Sequence, residues 1–271
     1  MTEADAVARA QSPATVESLT ADLRALGVAP GVTLVVHSSL SSLGWVCGGA
    51  QTVVMALQRA VADTGTLVLP AFSSDNSEPS LWRNPPVPQA WHQVIRDHMP
   101  AYDPRVSPSN RVGSIPEHFR TCPDVKRSQH PAVSWAAWGR YARAITQDHR
   151  LSSGFGEDSP LARVYDLGGF VLLLGVGHDR GSSLHLAEHK ATWPGKHNMK
   201  QGAAVQMGHG RQWIQFEDLE HDASDFATIG AAFEQAGKAR IGKVACATCR
   251  LMSQVELVNF AAEWITANRA R

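Results

Sequence analysis

An imidazole and a carboxylate three residues apart on a helix share one face. His185 and Glu188 form such a pair in Leu184-His185-Leu186-Ala187-Glu188-His189. A neutral imidazole held by a carboxylate is equipped to take a proton from an amine nucleophile. The same residues spell His-x-x-Glu-His, the inverted zinc-hydrolase pattern of two imidazole ligands and a Glu base. Its third ligand would have to come from far along the chain, where Glu256 or Glu263 is available. An ordinary helix with a surface His–Glu pair is the plain alternative.

Other groups could serve a bound molecule. In Val36-His37-Ser38-Ser39-Leu40-Ser41-Ser42, small hydroxyl residues follow an apolar run. Their N–H and O–H groups could meet phosphate or carbonyl oxygens, or simply build a Ser-rich turn. Asp75 and Glu78, with Glu157 and Asp158 farther on, could line a pocket for a cationic substrate or act as solvated loop acids and caps. Lys126 and Arg127 are natural phosphate partners, whereas His130 before Pro131 suits a turn. Cys246-Ala247-Thr248-Cys249 has the spacing of half a zinc site. His209 or His221 could add to it, and two buried thiols are the simpler reading.

The elements that must position these groups alternate. Val16, Leu19, Leu23 and Leu26 recur at helical spacing, with Thr15 as N-cap and Gly27 as the stop. Residues 32–36 then read as a strand that breaks at His37-Ser38-Ser39. Val53, Val54, Leu57 and Val61 share a helix face that ends near Gly65, and 66–69 form the next strand, closed by Pro70. Residues 72–113 are rich in Pro, Ser and Asn, apart from a short helix around Trp91, Val94 and Ile95. Trp82, Trp91 and Tyr102 argue that this long segment is ordered. Ser159-Pro160 opens a helix that Gly168-Gly169 ends. The run 170–176 reads as a strand covered on both faces, leading into a helix that starts at Ser182 or Ser183. Residues 202–216 read as a hairpin turning at Gly208-His209-Gly210, and Ser253 to Glu256 caps a final helix. The expected fold is α/β: a three-layer α/β/α sandwich with a mixed central sheet. Residues 1–271 would form one domain, with 192–250 a smaller C-terminal lobe within it.

Composition narrows the function classes. The chain has 271 residues, 44% hydrophobic and 18% charged, enough for one substantial core. With 25 basic and 25 acidic side chains the formal charge is zero, so nucleic acid and anionic membranes are not expected partners. No run approaches the roughly 18 apolar residues of a membrane span, and residues 1–11 lack the apolar stretch of a signal peptide. Four Cys do not make a disulfide framework in a chain this long. A cytoplasmic monomer or homodimer is the expectation.

Five segments in order resemble the aminoglycoside 3-N-acetyltransferase family: LGVAPGVTLVVHSSLSSLG (26–44), GTLVLPAFS (65–73), RVGSIPEHFR (111–120), VKRSQHPAVSWAAWG (125–139) and SPLARVYDLGGFVLLLGVGHDRGSSLHLAEHKA (159–191). The last is the most specific. The resemblance implies acetyl-CoA as co-substrate, no metal, and acetylation of the 3-amine of an aminoglycoside antibiotic by direct transfer in a ternary complex. His185 would deprotonate the amine, with Glu188 among the polar groups around it. Asp75 would engage the aminoglycoside, joined by Glu78, and Glu157 would orient the His or bind substrate. Asp75, Glu157 and Glu188 all remain candidate partners of His185. His37, Ser38, Ser39 and Leu40 would hold the pantetheine–pyrophosphate arm, and Arg127 and Ser128 would approach the cofactor. Residues 75–102, the region expected to read the antibiotic, match no subtype well. An acetyltransferase of the same fold acting on another amine is the alternative, followed by the zinc hydrolase.

Overall fold

The computed structural model describes residues 2–208 and 210–269. After a short first helix, α1 (Glu3–Arg9), Thr15 and Ser18 cap α2 (Val16–Leu26) reciprocally, each side chain accepting from the other's backbone N–H. Gly27 stops α2 at φ 112°, a conformation that costs glycine little. The chain continues through β1 (Thr33–Ser38), α3 (Gly49–Val61) and β2 (Thr66–Pro70). In the irregular stretch lies α4 (His92–His98), where a helix was expected, and α5 (Ser114–Phe119) follows it. β3 (Lys126–Arg127), β4 (Trp135–Gly139) and α6 (Ala142–Thr146) lead to α7 (Pro160–Asp166), which the Ser159 hydroxyl caps and Pro160 opens. β5 (Phe170–Leu174) and α8 (Ser183–Lys190) precede the hairpin β6 (Asn198–Met207) and β7 (Gly210–Leu219). The chain ends with α9 (Phe226–Gln235), β8 (Arg240–Val244), β9 (Ala247–Ser253) and α10 (Gln254–Asn268).

Seven strands form one sheet in the order β3-β4-β2-β1-β5-β9-β8. The central three are parallel, with Val35 of β1 opposite both Val68 of β2 and Val171 of β5. β4 and β9 add antiparallel strands on either side, so the sheet is mixed. Alternate residues of each strand face opposite sides. Leu34, Val36, Leu67, Leu69, Leu172 and Leu174 pack with α2, α3 and α5. Val35, Val68, Val171 and Leu173 pack with α6 to α10. Both faces are covered, which is why the strands read as unbroken apolar runs. This is the expected three-layer sandwich.

The helix after β1 lies on one face and the helix after β5 on the other. The carboxyl ends of these neighbouring strands therefore open a crevice, the usual place for a ligand in such sheets.

Within 192–250, β6 and β7 make a separate two-stranded ribbon, while β8 and β9 form one edge of the main sheet. The ribbon organises the long segment that has little periodicity of its own. Ala204 O accepts from Asn76 Nδ2 at 2.9 Å and from Tyr102 N–H at 3.0 Å, and Ala204 N–H returns a bond to Asn76 Oδ1. Arg211 reaches back to the carbonyls of Arg96 and Met99 at the end of α4. The 75–102 segment is thus ordered by partners more than a hundred residues away. His209, at the expected turn of the hairpin, lies outside the described residues.

Candidate active site

A cleft of about 870 Å³ opens at the carboxyl ends of β1, β2 and β5. His37, Ser38, Ser39 and Leu40, expected to hold a cofactor, all line it, because the turn after β1 delivers them there. Ser38 Oγ is buried with no hydrogen-bond partner among the described residues. A hydroxyl so placed in a cleft wall can donate to a ligand acceptor. His37 has a second duty: its Nε2 accepts from the Ser182 N–H at 3.3 Å, one of the N–H groups left open at the start of α8. Burial, with a smaller contribution from nearby His185, pushes the His37 pKa down to about 4, so the ring is neutral.

The cations on the cleft wall are Arg111 and Arg180, neither singled out by the sequence. Arg111 precedes the Gly113 turn, and Arg180 follows β5. The sequence signal for Arg180 was the GHDRG exit from the most apolar strand, and that for Arg111 its place at the head of the family-like segment RVGSIPEHFR. Trp45, Val46, Val176 and Phe72 supply apolar wall, and α1 closes one side with Thr2, Glu3 and Ala6. The Trp45 indole donates to Glu3 at 3.3 Å.

Arg127 and Ser128 are not brought to this cleft. The Arg127 guanidinium donates to Ser134 Oγ, Pro104 O, Ser107 O, Ala71 O and Ser73 Oγ, tying β3 to the loops after β2. The Ser128 hydroxyl is buried, hydrogen-bonded to His149 Nδ1 at 2.9 Å and accepting from Trp135 N–H. Both serve the scaffold, contrary to the expectation of cofactor contact: their polar atoms are satisfied within the protein before any ligand arrives.

His185 lies in the first turn of α8, one turn past Ser182, which lines the cleft. Its Nδ1 is 2.6 Å from Glu188 Oε2. Three residues set this up in the sequence, and burial makes it firm: Glu188 is fully buried and the His185 side chain is 16% exposed. The imidazole is clamped by two phenyl rings that carry no motif in the sequence, and by His221. Phe155 stacks on it at 4.7 Å between centroids, Phe226 lies at 4.7 Å, and His221 meets it edge-on at 4.9 Å. Phe72 on the cleft wall packs against Phe155, linking the cleft to the His185 pocket.

Behind this pair, His189 Nε2 lies 3.0 Å from His221 Nε2. Burial pushes His189 down to about 4 and His221 to about 2, so both rings are neutral. Two neutral imidazoles so placed share one proton as donor and acceptor.

The acidic candidates separate into two kinds. Asp75 and Glu157 are exposed and make no hydrogen bond or ion pair among the described residues. Glu157 follows Phe155 and Gly156, so it stands beside the His185 pocket. Glu78 is buried instead: it caps the 3₁₀ turn at Pro79–Leu81 through Ser80 and is paired with Arg96 at 2.5 Å. That charge is already compensated. Of the three carboxylates considered for His185, Glu188 is the one in contact with it.

Among the described residues, one group of three metal-ligand side chains comes together: His185, Glu188 and His221. It differs from the pattern read in the sequence, which used His185 and His189. Glu188 is poorly placed to ligate, since Oε2 faces His185 and Oε1 accepts from Asp222 N–H and Arg269 Nη1. Cys246 and Cys249 belong to no such group: Cys249 is buried in β9, and the Cys246 thiol donates to Arg9 O. No helix among the described residues is long and apolar enough to cross a membrane.

Comparison with known proteins gives the same picture. A family described as aminoglycoside 3-N-acetyltransferase matches residues 35–266. The SPbeta prophage-derived aminoglycoside N(3')-acetyltransferase-like protein YokD of Bacillus subtilis is 43% identical over 96% of this chain and 95% of its own. Its crystal structure superposes with a TM-score of 0.95 over 98% of both chains at 42% identity. The structure of AAC-IIIb in binary complex with CoASH has a TM-score of 0.85 at 34% identity, covering 94% of this chain and 97% of that one. AAC-VIa bound to sisomicin has a TM-score of 0.84 at 29% identity, covering 94% of this chain and 98% of that one. By sequence and by fold, the chain belongs to the aminoglycoside 3-N-acetyltransferase family.

Proposed function

We propose that the protein transfers the acetyl group of acetyl-CoA to the 3-amino group of an aminoglycoside, directly within a ternary complex, with His185 as general base. The observation that carries this reading is the His185–Glu188 pair at 2.6 Å, opening next to a cleft with an unpartnered Ser38 hydroxyl. That cleft suits a coenzyme A arm. Arg111 and Arg180 offer guanidinium charge for phosphates, Ser38 and Ser39 offer hydroxyls, and Leu40, Val46 and Val176 offer apolar wall for pantetheine. CoASH is the ligand of the related AAC-IIIb, and sisomicin that of AAC-VIa.

The chemistry then follows from the ring's surroundings. Nδ1 faces Glu188, leaving Nε2 to accept a proton from the attacking amine. The amine nitrogen bonds to the thioester carbonyl carbon, the C–S bond breaks, and the coenzyme leaves as thiol after taking up the proton held on His185. The aromatic clamp of Phe155 and Phe226 limits water around the base. Exposed Asp75 and Glu157 would draw a polycationic substrate to the entrance, where free carboxylates are of most use. A zinc-hydrolase reading has less support, because Arg269 already supplies the positive charge against Glu188 that a metal ion would bring.

The deciding measurement is coenzyme A thiol released on mixing protein, acetyl-CoA and a panel of aminoglycosides, with and without chelator. Release should require an aminoglycoside and ignore chelator. His185→Ala should lower kcat by about 10²–10⁴ while leaving acetyl-CoA binding nearly intact. Full turnover in that variant would remove His185 from the mechanism.

A further inference from the structure

Glu188 has its two oxygens committed in different directions. Oε2 faces the His185 ring, while Oε1 accepts from Asp222 N–H at 3.0 Å and from Arg269 Nη1 at 2.6 Å. Arg269 ends α10, 81 residues from its partner, and only 10% of its side chain is exposed. The rest of the guanidinium is equally engaged. Nε and Nη2 grip the two oxygens of Asp225 at 3.0 and 2.7 Å, Nη2 also donates to Asp222 O, and the Trp193 ring lies 4.9 Å from the guanidinium carbon. One cation therefore gathers the base's carboxylate, the loop after β7, the start of α9 and the end of α10. It lies outside residues 35–266, the stretch the family description covers.

We propose that Arg269 is a positioning residue for His185: it fixes Glu188 as a pure acceptor, so the neutral ring carries its proton on Nδ1 and presents a bare Nε2 to the substrate amine. The proposal rests on His185 being the base. A neutral imidazole has one N–H and one lone pair, and the bond made at one nitrogen decides which faces outward. A carboxylate already accepting from a guanidinium and a backbone N–H can only accept from Nδ1. Without the guanidinium the Glu188 carboxyl loses its charged donor and is no longer held as an acceptor toward Nδ1. The ring proton then moves to Nε2, and a nitrogen that bears a proton cannot take one from the amine.

The test compares R269Q, R269K, D225N and H185A in the full-length protein. Each is measured for kcat, for the acetyl-CoA KM, for melting temperature and for the ¹⁵N signals of the His185 ring. In R269Q, kcat should fall about 10- to 100-fold, within the 10²–10⁴ that a positioned base supplies, with the acetyl-CoA KM within about twofold. Its ¹⁵N spectrum should lose the Nδ1–H form. R269K, which keeps a cation beside Glu188, should recover most of kcat and the Nδ1–H signal. D225N weakens only the tie to α9; it should lower the melting temperature, leave the Nδ1–H signal in place and cost less kcat than R269Q. If R269Q does not fold, R269K decides: a ring proton on Nε2 in that variant overturns the proposal, and Nδ1–H with near-normal kcat supports it. R269Q with wild-type kcat beside an inactive H185A overturns it, as does D225N losing as much kcat as R269Q, which would make the cluster merely structural. An active H185A would overturn the base assignment instead, and the ring signals of R269Q would still report whether Arg269 sets the tautomer.

Discussion

Two arginines that look alike in a sequence have opposite fates in this protein. Arg127 has its guanidinium turned inward onto five oxygens of the scaffold, whereas Arg180 stands on the wall of the cleft. Removing a buried, multiply bonded cation leaves several acceptors without donors, at a cost of about 1–3 kcal/mol for each that finds no water. Arg127→Met should therefore lower the melting temperature by several degrees and leave the acetyl-CoA KM of the folded fraction unchanged. Arg180→Met should do the reverse, raising that KM several-fold with little effect on melting. Steady-state kinetics and thermal unfolding on the two variants check both halves, and a raised KM in folded Arg127→Met would return that residue to the cofactor site. Glu78 follows the logic of Arg127. A carboxylate sealed against Arg96 is not available to a polycation, so Glu78→Gln should cost stability before it costs antibiotic binding.

At the scale of elements, the site depends on how α9 is seated against the exit from β5. Gly230, buried in α9, lies directly over His178, and a Cβ there would fall 2.0 Å from the imidazole. His178 cannot swing aside freely, because its Nε2 is held by Glu234 at 2.8 Å. Gly230→Ala should therefore destabilise the fold by about 1–3 kcal/mol through overpacking. It should also reduce turnover, since Phe226 at the start of α9 packs on the His185 ring. Denaturant unfolding alongside the thiol-release assay would read both effects, and a neutral substitution would mean that the β5–α8 connection adjusts more easily than its packing suggests. The hairpin of β6 and β7 has a comparable role on the far side. It holds Asn76 and Tyr102 through Ala204, so the loop that carries Asp75 is shaped by an element that begins at Asn198.

For the molecule as a whole, the buried histidines make stability depend on pH. His37, His130 and His189 are each pushed down to about 4, and His221 to about 2, with burial the largest cause in every case. Because these folded-state values lie below the ordinary histidine value, the unfolded chain binds more protons as the pH falls. The stability they contribute is present above about pH 6.5 and is lost as the pH drops toward about 4. Each ring contributes a slope of at most about 1.4 kcal/mol per pH unit within that window. The depressed carboxylates, Asp103 and Glu117 at about 2, act only at lower pH and do not confuse the measurement. The melting temperature should thus fall steadily between about pH 7 and about pH 5. A flat profile over that range would mean that these rings are reached by solvent.

Local pattern was enough to write down much of this protein. The unbroken apolar runs of β1 and β5, the caps at Thr15 and Ser159, and the three-residue spacing of His185 and Glu188 are consequences of backbone geometry acting over a few residues. They were legible because each strand and helix repeats its own rule. The turn from His37 to Leu40 was legible for the same reason, as hydroxyls at the end of an apolar strand. Distance along the chain hid the rest. Arg269 meets Glu188, Phe155 and Phe226 close over His185, and Arg127 and Glu78 find internal partners only when segments far apart in sequence are packed together. A residue's type announces which bonds it can make, but burial and competition among partners decide which of them it does make, and those are properties of the assembled fold.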